Sequence, residues 1–467
     1  MRAARNAHLL LITLLLPTVG WWAGCATARP PPVAPFPPAP SYPPDHEYTL
    51  DELIELSVHR NASLDVARYL AESAQGLVDQ VKALWLPVVR YDFAATAYNN
   101  DFSYRVRAFH LATINVPLTG AYNIANTVSL GQIVTTGGKR TSGLKQAKMY
   151  AALLKADVLR QQDLVACEVA TFYQLIGLTN DIDDVLDDAL RRIRVFRQVA
   201  ENLNARGSLR ASILDSLEAD LVVAELEQLQ TALQAGRQQA YCALKQAVGL
   251  DPAEPLLLRR ASLPPLVTPL ERLSVIAAIV QGFLHRPENR EVDLFARISA
   301  EQVRFAKAMW APNVALVVSE ANIVGNHNTI LNAIDGLIAG ILVDVPIYDA
   351  AHRAGLRQAL GLEYAAAALQ REVEQLLTVE IDVTAVEAQR AVAGLAAAQR
   401  AQRAAAEHED AARQAYSREL IPASGVVTAI GLDALGNVGY LQALFSYHNA
   451  RTRLRRVMAD RETPYGY

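Results

Sequence analysis

The chain has 467 residues, 51% of them hydrophobic and 20% charged, so it carries enough apolar material to bury a core. Its formal net charge of -4 excludes the basic surface that nucleic-acid binding needs, so nucleic acid is not expected as a partner. No Ser/His/Asp, Cys/His, phosphate-loop or His-Glu-x-x-His pattern is present and the histidines are scattered. The sequence therefore offers no catalytic residue, no cofactor site and no metal site, and an enzyme is not expected.

Residues 1–24 have the layout of an export signal: Arg2 and Arg5 are followed by the apolar stretch "LLLITLLLPTV" from Leu9 to Val19. That stretch falls short of the roughly 20 apolar residues a spanning helix requires. Ala23-Gly24-Cys25 resembles the lipobox of bacterial lipoproteins, although Trp22 stands where that motif usually has Leu. Acylation of Cys25, ordinary cleavage and an uncleaved anchor are the three readings, with acylation the expected one. Ala26 after the cysteine then implies sorting to outer-membrane lipid. Residues 25–47 form the anchor and tether, with nine prolines between Pro30 and Pro44 that exclude helix and central strand. Cys167 and Cys242 lie isolated in helical sequence and read as packed residues or as a disulfide pair.

Further in, the chain repeats itself. "VKALWLPVVRYDF" (Val81 to Phe93) returns as "AKAMWAPNVALVV" (Ala306 to Val318), and "LGQIVTTGGKRTSGLKQA" (Leu130 to Ala147) has an echo in "VDVPIYDAAHRAGLRQA" (Val343 to Ala359). Each copy runs helix, Trp-x-Pro, alternating strand, loop, second strand, a small-small-basic-Arg turn, and long helix. The first copy spans residues 48–262, with strands expected at about 87–98 and 120–134. The second spans 263–460, with strands at about 312–324 and 338–348, and 461–467 form a tail. Between the landmarks the period is helical: Val222, Leu226, Leu229 and Leu233 step at coiled-coil spacing, as do Leu376, Val379, Val383 and Val386. From Gly138 to about Arg206 there is no proline, which predicts a helix of roughly 100 Å at 1.5 Å per residue. The strands alternate apolar and polar over about ten residues, as either a transmembrane strand or a soluble sandwich strand does. Four strands cannot close a barrel, so a membrane reading requires several chains.

With these segments in order, and with the opening "YTLDELIELSVHRNASLDVAR" and the turn "GGKR", the chain resembles outer-membrane efflux proteins of the TolC family, in their lipoprotein branch. The resemblance implies a mainly α fold with a membrane β-barrel. Long antiparallel coiled-coil helices would form a trimeric α-helical tunnel, and each protomer would give four strands to a shared twelve-stranded barrel. It implies a homotrimer that serves as the passive exit duct of a tripartite efflux or secretion system, fed by an inner-membrane transporter and a periplasmic membrane-fusion adaptor. The implied place is the outer membrane of a Gram-negative bacterium, lipid-anchored and extending into the periplasm. The runner-up readings are a periplasmic adaptor lipoprotein, which would carry one hairpin between β-rich modules, and a structural coiled-coil protein of the envelope.

The same resemblance assigns residues. Gly137, Gly138 and Arg140 form a strand-to-helix turn, where the glycines supply backbone room. Arg206, Gly207 and Ser208 fall at the periplasmic tip of the first hairpin, where an adaptor docks or where the chain simply turns. Asp433 keeps one of two aspartates that constrict the closed channel in the family, and Ile430 replaces the other. Asp215 and Glu218 are their first-copy counterparts. Asp433 is then a gate carboxylate or a solvated one on a helix face. No basic partner stands among Val426, Val427 and Thr428, and Gly425, Gly431, Gly436 and Gly439 predict a loose constriction.

Overall fold

The computed structural model describes residues 40–43, 45–97, 102–108, 112–119, 122–205, 213–259, 261–264, 280, 282–325 and 336–459. The chain divides into two units, Met1–Pro38 and Ala39–Tyr467, and all described residues belong to the second. After strand β1 (Glu47–Tyr48) come helices α1 (Leu50–Arg60) and α2 (Ala62–Ala83). Thr49 starts α1 through a capping box: its hydroxyl accepts from Glu52 N–H at 3.4 Å, and the Glu52 carboxylate accepts from Thr49 N–H at 2.8 Å. Asn61 ends α1 and caps α2, its Oδ1 accepting from Ser63 N–H at 2.9 Å.

Strands β2 (Val88–Ala97), β3 (Phe102–Ala108), β4 (Ala112–Thr119) and β5 (Tyr122–Thr135) lead into helices α3 (Lys139–Ala205) and α4 (Ile213–Val248). A short β6 (Leu257–Leu258) pairs in parallel with β1. The second copy supplies α5 (Pro287–Ala308), β7 (Asn313–Gly325), β8 (Gly336–Asp344), α6 (Ala350–Ser417) and α7 (Ala423–Val457). Helices α3 and α6 run 67 and 68 residues without an interior proline, about 100 Å each. The β3–β4 hairpin is an addition that the sequence reading did not include; it pairs only with itself.

The core is a set of helix seams. The largest joins Leu186, Ala189, Leu190 and Ile193 of α3 to Val426, Val427, Ile430 and Ala434 of α7, with Ala219 and Leu226 of α4 and Leu395 of α6 closing its sides. A second packs Leu53 and Leu56 of α1 and Leu64 of α2 on Val169, Tyr173 and Ile176 of α3 and Leu244 of α4. Helix α3 thus touches α1, α2, α4, α5 and α7 at different heights. This is why apolar residues occur all round it rather than along one stripe.

The main sheet is antiparallel throughout, in the order β2-β5-β7-β8. Among the described residues nothing covers its outer strands. Val89, Tyr91 and Phe93 on one face of β2 are exposed, as are Arg90 and Asp92 on the other, and every residue of β8 is exposed.

This architecture corrects the expected one. The chain is mainly α-helical, and its strands form small open sheets rather than a barrel, because four strands leave both edges unpaired where about eight are needed to close. The shared barrel, trimeric tunnel, transmembrane strands and exit-duct function implied by the resemblance, and the lipid-anchored outer-membrane placement read from the export signal and Cys25, are set aside on this open sheet. Among the described residues no helix is long and apolar enough to cross a membrane. The seam Leu376, Val379, Val383 and Val386 also differs from a core stripe: all four side chains are more than half exposed.

Sheet and helices are joined at the β5–α3 turn. Arg140 donates to the carbonyls of Leu84 (3.0 Å), Ile133 (3.1 Å) and Val134 (2.9 Å) and lies over the Trp85 ring. Lys139 reaches into the other copy and donates to Asn313 Oδ1 at 2.9 Å. Gly137 (φ 60°) packs so closely on Ala311 that a Cβ there would collide with the alanine methyl. Gly137→Ala is expected to cost roughly 2–4 kcal/mol, from collision added to left-handed strain. Denaturant unfolding measures this, and Ala311→Gly in the same chain should restore part of it. No restoration would reject the close-packing account.

Candidate functional site

The end of the second hairpin carries the most concentrated polar structure among the site residues. Ile430 and Asp433, three residues apart, share one side of α7. Ile430 is completely buried in the α3–α7 seam, and Asp433 is only 7% exposed. Asp433 is therefore not a solvated carboxylate on an open helix face. Its Oδ2 accepts from Arg192 Nη2 of α3 at 3.4 Å. The Nη1 of the same guanidinium donates to both oxygens of Glu409 on α6 at 2.8 Å each, and its Nε pairs with Asp188 at 2.9 Å. Arg413 pairs with Glu409 from one turn away on α6.

One arginine of the first copy thus holds two buried carboxylates of the second. The basic partner absent near Val426 is supplied from 241 residues away. Burial, reinforced by the charge of Glu409, pushes the Asp433 carboxyl up, while Arg192 pulls it back. The first-copy counterparts act in the same joint: Asp215 accepts from Ser424 N–H at 3.2 Å at the start of α7, and Glu218 accepts from the Thr428 hydroxyl at 3.4 Å. Gly436 does not loosen this helix. A Cβ there would lie 2.9 Å from the Ala405 methyl, so the glycine lets α7 press against α6.

Gly137, Gly138 and Arg140 sit together at the β5–α3 turn, far along the helices from Asp433. Cys25 and the tip residues Arg206, Gly207 and Ser208 lie outside the described residues. Beside that tip, Ile213, Leu214, Leu217 and Leu221 at the start of α4 are all more than half exposed, an apolar ridge with i, i+4 spacing. Cys167 is half-buried and Cys242 exposed, and both are free thiols. Sequence reasoning missed Arg192 and Glu409. The Arg191-Arg192 doublet was visible, but nothing local distinguishes which arginine turns inward.

What the arrangement can do chemically is hold and position. Among the described residues no group of three or more His, Cys, Asp or Glu could hold a metal ion. A cavity of about 210 Å³ between α5 and α6 is lined by Phe305, Met309 and Leu362, with His352 as its single titratable group. Neither place has the convergent acid, base and nucleophile that catalysis needs.

No family model matches the chain, and no curated protein does. Solved structures do. The outer-membrane channel OprN matches with a TM-score of 0.72 at 19% identity, over 88% of this chain and 89% of that one. The outer membrane protein VceC from Vibrio cholerae matches with a TM-score of 0.70 at 18% identity, over 88% of this chain and 95% of that one. The Neisseria gonorrhoeae MtrE outer membrane channel, in its open state, matches at 0.69 and 15% identity, over 88% of each chain. The chain is thus distantly similar in structure to outer-membrane channels of the TolC family, and at these identities the likeness is one of fold.

Arg192→Met is expected to destabilise the chain by up to about 3 kcal/mol, since it strands the buried Asp433 and leaves Glu409 with Arg413 alone. Asp433→Asn should stay within about 1 kcal/mol, because it removes one of three acids that share Arg192. The sign of the pH effect follows from the raised Asp433 carboxyl. Its stabilising proton is held below the unfolded value and lost as the pH rises through the folded one. The Arg192→Met loss should therefore shrink on acidification, as read by urea unfolding. A loss that grows toward acid pH contradicts this.

Proposed function

We propose that the chain is a non-catalytic, structural coiled-coil component of an envelope transport assembly, working only when copies of itself and partner helices cover what one chain leaves bare. A single observation carries this reading: among the described residues, the outer strands β2 and β8 of the four-stranded sheet are exposed and have no partner along their outer edges. Uncovered strand edges and contiguous apolar surface mark an association surface. The half-exposed seam on α6 and the apolar ridge on α4 extend that surface along the helices. The runner-up adaptor reading fits less well, because the chain has two long hairpins, α3–α4 and α6–α7, rather than one between β-rich modules.

On this reading the self-association is a homotrimer that covers the exposed faces of the sheet. The α4 ridge beside the first hairpin tip docks a helix of a periplasmic membrane-fusion adaptor, itself bound to an inner-membrane transporter. The distant likeness to channels such as OprN and VceC supports such company. Arg206, Gly207 and Ser208 would complete the docking tip, and Ile430 and Asp433 would brace the two hairpins against each other.

The test uses cysteines at the exposed positions Val89 on β2 and Val343 on β8, with Cys167 and Cys242 replaced. A flexible bis-maleimide should give a cross-linked ladder ending at three chains. Monomer alone, or a ladder running past three, contradicts the proposal. Leu217→Lys with Leu221→Lys should leave the fold intact and weaken adaptor cross-linking roughly tenfold or more. Unchanged adaptor cross-linking removes the ridge from the account.

A further inference from the structure

Away from the Asp433 joint, a second group of charges, half-buried apart from the buried Arg286, bridges the two copies through Arg160 and Glu291. On α3, Arg160 is shared by two acids: Asp157 of its own helix and Glu291 of α5, the latter 3.3 Å from Nε. Beside them Arg286, just before α5 and 4% exposed at its side chain, binds Glu288 at 2.9 Å and Glu380 of α6 at 2.7 Å. Arg456 of α7 takes the other oxygen of Glu380 at 2.7 Å. Four carboxylates therefore face three guanidinium groups.

An unbalanced negative charge held away from water is unfavourable, and the relief available to a carboxylate is a proton. Geometry selects which one. Glu380 has two arginines. Glu288 has one within 2.9 Å, and Asp157 has the tighter hold on Arg160. Glu291 has only the longer contact to a base already engaged, and its side chain is the least exposed of the four acids, at 12%.

We propose that Glu291 is the proton-binding site of a clasp between the two copies, closed when its carboxyl is protonated and loosened when it ionises. With the proton on, the cluster is balanced and α5 is held on α3. With the proton off, one negative charge is in excess and that contact weakens.

The electrostatics run the same way. Burial pushes the Glu291 carboxyl up to about 7; Arg160 opposes this, and Asp157 and Glu288 add to it. For Glu288 burial also disfavours the charge, but the hydrogen bond and charge of Arg286 outweigh it and hold that acid ionised. A group raised in the folded state stabilises fully below its unfolded value near 4.5, and the contribution is lost as the pH rises through about 7. The clasp therefore loosens on going alkaline, opposite to the behaviour of an ordinary salt bridge. It belongs to the folded chain alone and does not depend on the assembly proposed above.

The test is a comparison of the full chain with Glu291→Gln, which keeps the shape and mimics the protonated acid. Between about pH 5.5 and 8 the wild-type unfolding midpoint should fall relative to the variant by on the order of 2 °C. Over the same range, hydrogen exchange of the α5 amides should quicken several-fold in wild type and stay level in the variant. Infrared spectra near pH 6 should show a protonated-carboxyl band that the variant lacks. A pH response of α5 that persists in the variant, an unchanged carboxyl band, or a variant that fails to fold would each overturn the proposal. The last outcome would mean that Arg160 needs an ionised partner at Glu291.

Discussion

The seam between α3 and α7 is the constraint from which the rest of the structure follows. Leu186, Ala189, Leu190 and Ile193 meet Val426, Val427, Ile430 and Ala434 there, and almost all are fully buried. Fully burying a leucine- or isoleucine-sized side chain contributes about 1.5–3 kcal/mol, so this one contact holds the two copies together along their hairpin ends. Alanines and Gly436 bring the helix axes close, and closeness dictates what the nearby polar residues must do. Asp433 and Glu409 have no route to water, and so they converge on Arg192.

The same logic recurs at each junction between the copies. At the sheet end Lys139 and Gly137 lock the first copy onto Ala311 and Asn313 of the second. Midway, Arg160 of the first copy meets Glu291 of the second. At the hairpin end Asp215 and Glu218 bind the start of α7. Apolar seams supply the adhesion, and at every level a few buried polar contacts set the register between two otherwise similar halves. Such groups add little net stability, yet removing one partner is costly.

Against this closed helical interior, the sheet is left bare. Its strands pair well, with ten aligned residue pairs between β2 and β5 alone, yet among the described residues the side chains of β2 and β8 stay exposed. Hydrogen bonding along a ladder does not require a core, whereas stability in isolation does.

Much of this was written locally. The duplication, the absence of proline over the span that becomes α3, the switch from helical to two-residue period, the Thr49–Glu52 cap and the glycine turn at 137–138 can all be read from near neighbours, because helix length, strand alternation and left-handed turns are short-range properties. The β3–β4 hairpin was missed because its alternation runs on from that of its neighbours. Long-range matters were beyond reach. That Asp433 is buried on Arg192, that Glu291 shares a base with Asp157, that the α6 seam faces outward, and that the strands end in an open sheet depend on which faces meet. Charge pairing joins Arg192 to Asp433 across 241 positions, and only the tertiary structure brings such residues together.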